Sequence, residues 1–112
     1  MSTKRRPKPD AVPPQLMGVF ADAIGLGATS FRLESAPPYV MASISAGARA
    51  VEIDFESWSG KEMIEFLLRQ ISDRQYKSGG FVIDYAEKLY PCEVTAERLR
   101  SPQWLEVKWT CS

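Results

Sequence analysis

The sequence predicts an α+β fold: an antiparallel sheet of five to six strands, helices packed mainly on one face, in the order αβββαβββ. Three observations carry this. Two segments place apolar residues at helical spacing, and six others alternate apolar with polar residues. The links between successive strands are short and rich in Gly, Pro and Ser, which implies hairpins. A chain of 112 residues, 45% apolar and 25% charged, fits one domain that buries its own core.

Residues 1–14 contain four prolines and almost nothing to bury, so they read as a flexible, basic arm before a single domain at 15–112. Leu16, Phe20, Ala23 and Ile24 form one stripe of a helix over 16–26, which Gly25 and Gly27 then stop. Phe31 and Leu33 oppose Arg32 and Glu34 in a first strand over 29–34. Ser35-Ala36-Pro37-Pro38 turns the chain into a second strand over 39–45, where Val40, Ala42 and Ile44 oppose Tyr39, Met41 and Ser43. A turn at Gly47 leads to the clearest strand, where Val51, Ile53 and Phe55 face the core.

The second helix is predicted over 59–75. Ser59-x-x-Glu62 has the form of a capping box, and Ile64, Leu67, Leu68 and Ile71 follow at i, i+3, i+4 and i+7, flanked by Met63 and Phe66. Ser78-Gly79-Gly80 ends that segment. Three further strands follow, over 81–86, 90–97 and 103–110. Their core faces hold Cys92, Val94 and Ala96, then Leu105, Val107 and Trp109, and Pro91 suggests an edge or a strand start.

Composition excludes several functions. No apolar run approaches the roughly 18 residues of a membrane span, and the basic, proline-rich start does not read as a secretory signal. A cytoplasmic location is expected. Histidine is absent, which removes Ser-His-Asp and Cys-His catalysis and imidazole metal sites. Cys92 and Cys111 form no C-x-x-C, so zinc is not expected. They read as buried thiols, bridged only if their strands are neighbours. Gly25-Leu26-Gly27 follows a helix and precedes a strand, the reverse of a dinucleotide loop. Ser59-Gly60-Lys61 ends in Glu62 where a P-loop needs Ser or Thr, and that carboxylate would repel phosphate. Glu87 and Glu93 lack any orienting group for paired-carboxylate hydrolysis. No catalytic residue, metal or cofactor is expected, and an enzyme is the least favoured class.

The surface is more informative. Lys4, Arg5, Arg6 and Lys8 against Asp10 give the arm a net charge of +3, and the overall charge is zero, so the body carries −3. The arm can make weak, salt-sensitive contact with anionic surfaces, including nucleic acid. It also fits a merely solubilising start. Glu52, Asp54 and Glu56 stand at i, i+2 and i+4 on one strand face, which suits a basic partner but also an ordinary solvated face. Trp104 faces away from the core beside Glu106 and Lys108, where it serves as an interface anchor unless a helix or loop covers it.

One resemblance emerges from the ordered elements. Ala23-Ile24-Gly25-Leu26-Gly27-Ala28-Thr29-Ser30-Phe31-Arg32-Leu33-Glu34 resembles the segment A-x-x-x-G-A-S-D-I-H-L-E. That segment opens the PAS-like N-terminal domain of type II secretion and type IV pilus ATPases. Pro37-Pro38-Tyr39-Val40 resembles the P-P-x-x-R entry to that family's second strand, residues 59–71 its following helix, and Phe81–Ala86 its D-F-A-Y strand. The similarity spans about residues 20–110. Ser30 and Arg32 replace the family's aspartate and histidine, and Val40–Ser43 lacks its arginine. Cys92-Glu93-Val94 stands where the family has an arginine-rich strand, and the sequence holds no ATPase domain. The resemblance therefore implies a PAS-like fold and a docking role, with no nucleotide site carried over.

The expected function is a non-enzymatic protein-interaction module. The resemblance makes it an accessory docking domain of a secretion or pilus ATPase system. Two alternatives stay open: an inhibitor or immunity-type protein that caps a basic site on a toxin or nuclease, and a PAS-like sensor holding a small ligand. Glu52, Asp54, Glu56 and Trp104 are the expected partner-binding residues, and the expected partner has a basic surface.

Overall fold

Alternation along each strand divides the molecule into a covered and an uncovered face. A computed structural model describes residues 11–110. Its element order is α1 (Pro14–Leu26), β1 (Ser30–Ala36), β2 (Tyr39–Ala46), β3 (Arg49–Glu56), α2 (Ser57–Arg69), β4 (Ile71–Asp73), β5 (Ser78–Tyr85), β6 (Lys88–Ala96) and β7 (Trp104–Trp109). The strands form one sheet in the order β3-β2-β1-β7-β6-β5-β4, with every pairing antiparallel. Pairing of β1 with β7, from Ser30↔Lys108 to Glu34↔Trp104, joins the two hairpin halves across the middle.

Both helices lie on the face that carries Phe31, Leu33, Val40, Ala42, Ile44, Phe81, Ile83, Val94, Leu105 and Val107, all buried. Helix α1 starts with proline in its first turn, where no amide hydrogen is missed. It ends at Gly27, whose φ of 80° is the left-handed cap that glycine adopts without penalty. Leu16, Val19, Phe20 and Ala23 form its buried stripe. Phe20 is the hub, with ring centroids 4.7 Å from Trp109, 5.1 Å from Tyr90 and 5.8 Å from Tyr85. The last two rings meet it edge-on, an arrangement aromatic quadrupoles favour. Ahead of the helix, Val12 already packs against the core.

The sheet has seven strands rather than five to six, and the order is αβββαββββ rather than αβββαβββ. The difference lies at the end of α2. The helix stops at Arg69, and Ile71–Asp73 becomes β4, paired with Ser78 and Gly79 of β5. Ile71 is buried, but from a strand, so it leaves the expected helical stripe. The stripe that α2 buries is Gly60, Met63, Phe66 and Leu67, with Ile64 and Leu68 at its margins. Gly60 is needed because the helix lies directly on Val40, whose side chain fills the space of any added Cβ.

The capping box does not form either. The helix begins two residues earlier, at Ser57, with no side-chain cap. Gln15 of α1 instead donates its side-chain amide to Ser59 Oγ at 3.1 Å and to Glu62 Oε1 at 2.8 Å, tying the two helices together. Ser78-Gly79-Gly80, expected to end a helix, opens β5. Pro91 lies inside β6, an interior strand, but β6 pairs with β7 only from Cys92 onward. Its missing amide hydrogen therefore costs that ladder nothing.

Candidate functional site

The face of the sheet opposite the two helices is covered by no other element among the described residues. Leaving the bulged β4 aside, the register of the strands places seven carboxylates there: Glu34, Glu52, Asp54, Glu56, Asp84, Glu93 and Glu106. Only Arg32 and Lys108 among the strand residues of that face are cationic. Each cation sits opposite a carboxylate, Arg32 across from Glu106 and Lys108 across from Glu93. Glu34 and Asp84 oppose only uncharged residues. Glu52, Asp54 and Glu56 do so as an unbroken row on one strand. Their cross-strand neighbours on β2 are Ser43, Met41 and Tyr39, none of them a basic residue. All three are exposed, and among the described residues none joins an ion pair. Edge strand β3 is thus where the negative charge is least compensated from within.

Trp104 occupies the first position of β7 on this same face and is half-buried. The Arg32 guanidinium carbon lies 4.5 Å from its ring centroid, a cation–π contact that already occupies one side of the indole. Strands β1 and β2 separate it from β3, roughly 14 Å at ordinary strand spacing. Trp104 and the acidic row therefore share a face without touching.

The aromatics beside the acidic row are Trp58 and Tyr39, which the sequence did not single out. Trp58 is 67% exposed and Tyr39 47% exposed. Glu56 links them: it accepts a hydrogen bond from Trp58 Nε1 at 3.3 Å and pairs in register with Tyr39. The available signal for Tyr39 was its parity, opposite to buried Val40. Trp58 carried none, because the expected helix start at Ser59 left it in a loop.

Two further features bear on chemistry. Cys92 is buried, and burial pushes its thiol up to about 12, so it stays protonated and a poor nucleophile. A concavity of about 470 Å³ opens at the end of β1, β6 and β7, lined among others by Ser30, Cys92, Lys108 and Trp109. The buried Trp109 Nε1 has no hydrogen-bond partner among the described residues. No group of three or more His, Cys, Asp or Glu converges to hold a metal among the described residues. No helix there is long and apolar enough to cross a membrane. Lys4, Arg5, Arg6, Lys8 and Cys111 lie outside the described residues.

Neither the family models nor the curated proteins contain a match to this sequence.

Proposed function

We propose that this protein is a non-enzymatic interaction module whose uncovered sheet face receives a protein with a basic surface. The observation that carries this reading is the uncompensated carboxylate row Glu52, Asp54 and Glu56 on an exposed edge strand, with Trp58 and Tyr39 beside it. Aromatic side chains next to complementary charge are the usual anchors of protein interfaces. The charge accelerates encounter, and the aromatics slow release. The resemblance of residues 23–34 narrows the expected partner to a component of a secretion-type or pilus-type ATPase machine.

The test is affinity capture at low and high salt with the parent chain and with the triple variant Glu52→Lys, Asp54→Lys, Glu56→Lys. A partner held by the parent, released by salt and lost by the variant supports the reading. Partners retained equally by both proteins would place the interface elsewhere.

A further inference from the structure

Strand β3 is an unfinished edge. No strand lies beyond it among the described residues. Its eight residues pair one-to-one with β2 from Arg49 to Glu56, without a register shift or a proline. Every second residue of such a strand turns its N–H and C=O outward, where water alone satisfies them. The side chains flanking that edge form two rows of opposite character. Glu52, Asp54 and Glu56 are exposed on the uncovered face, while Val51, Ile53 and Phe55 on the helix side are only half-buried. The core thus stops short at β3, with apolar surface left at its rim.

We propose that β3 accepts an extended segment of a partner as an eighth strand, and that this segment alternates Lys or Arg with aliphatic residues. This rests on the basic-partner reading above and specifies how that partner is held. Strand periodicity supplies the sequence rule. Successive side chains point to opposite faces, so cationic residues at alternate positions come to lie over Glu52, Asp54 and Glu56. The intervening aliphatic residues then cover Val51, Ile53 and Phe55 and complete the core rim. Main-chain hydrogen bonds give affinity, and the two rows give specificity. Trp58 stands at the end of the row, exposed enough to stack on the stem of a terminal Lys or Arg.

Two other occupants fit less well. A second copy of β3 paired antiparallel would bring carboxylates against carboxylates, which destabilises a ladder. The chain's own basic segment, Lys4 to Lys8, is interrupted by Pro7 and followed by Pro9, and proline cannot donate to a ladder.

The experiment titrates the full chain, at low salt, with three blocked octapeptides of equal charge. One alternates Lys and Val, one has four Lys followed by four Val, and one alternates Lys and Pro. Strand addition requires the alternating Lys-Val peptide to bind at least about tenfold tighter than both others. It also requires at least about a tenfold loss with the triple lysine variant. Equal affinity for all three peptides would overturn strand addition and leave the acidic-face reading standing. No binding of any peptide would overturn both. Dimerisation of the parent through β3 would make a second copy the occupant. Binding that appears only after residues 1–10 are removed would make it the arm. Either result sinks the proposal.

Discussion

β4 and β3 end the same sheet, but β4 runs for three residues and β3 for eight. β4 has a register shift between Ile71 and Asp73, and Asp73 Oδ1 accepts amide hydrogens from Gln75 and Tyr76, so the chain turns away at once. It is also pinned from behind. Gln70 caps α2 through its amide to Leu67 O, and its own carbonyl lies against Gly79 of β5. Short, bulged and held to a helix end, β4 offers little for another chain to pair with. β3 also joins α2, whose N-cap is Glu56, but it is neither short nor bulged. It is long, regular and apolar on one flank, and only its carboxylates discourage unwanted pairing. Side-chain charge excludes like strands and admits unlike ones, whereas a bulge excludes all. If the strand-addition proposal holds, β3 is the selective edge and β4 the closed one.

The most damaging way to break this contrast is at the helix that seals β4. Leu67 is fully buried, on the last turn before Gln70. Leu67→Ala should cost about 2–5 kcal/mol in urea unfolding, the range for buried leucines. An unchanged midpoint would mean that the last turn of α2 is not seated and that β4 is not closed as described. Next in size is Gly79→Ala. The added Cβ would clash with the Gln70 carbonyl oxygen and Ile71 Cα, which are backbone atoms that cannot step aside as a flexible side chain would. We expect a loss of about 1–3 kcal/mol, typical of overpacking. A neutral result would show that β4 moves away freely and that both edges are soft.

A smaller change should strengthen the closed half. The β5–β6 turn holds Ala86 at φ 52° and Glu87 at φ 65°, both left-handed. Two such residues define the turn that Asn-Gly favours, and alanine and glutamate adopt it at a cost. Replacing Ala86-Glu87 with Asn-Gly should raise stability by about 1 kcal/mol, read as a higher melting temperature. A decrease would show that the turn side chains make contacts worth more than the backbone strain.

The same contrast explains what was legible in the sequence. Strand β3 was readable because its alternation is local: Val51, Ile53 and Phe55 against three carboxylates. β4 was not, because Ile71 continues a helical spacing from Ile64 and Leu68 and only the β5 backbone draws it into the sheet. Gly79 and Gly80 look like a stop signal locally. Gly79 serves close backbone approach to Gln70 and Ile71, a tertiary fact, whereas a Cβ at Gly80 would meet nothing closer than ordinary contact. Likewise Ser59 and Glu62 match a cap, yet Gln15 lies against them and the helix starts earlier. Of the candidate site, the acidic row was visible and lies on one exposed face. Its distance from Trp104 and its closeness to Trp58 depend on the strand order and the helix start, neither of which local spacing encodes.

The smallest stability effect is expected where the interaction effect should be largest. Glu52, Asp54 and Glu56 oppose uncharged side chains on β2, so reversing them to lysine removes no cross-strand attraction. The one hydrogen bond lost, from Trp58 to Glu56, is exposed. Each reversal should therefore shift unfolding by less than about 0.5 kcal/mol. Association with a basic partner should slow, and added salt should no longer retard it, because the steering field on that edge has changed sign. Neutral variants sharpen the point. Glu52→Gln, Asp54→Asn and Glu56→Gln together keep the shape of β3 but remove the repulsion between two copies. If the carboxylates guard the edge, this variant should self-associate in sedimentation at concentrations where the parent and the lysine variant remain monomeric. A monomeric neutral variant would show that something other than charge protects β3, and the distinction between the two edges would lose its basis.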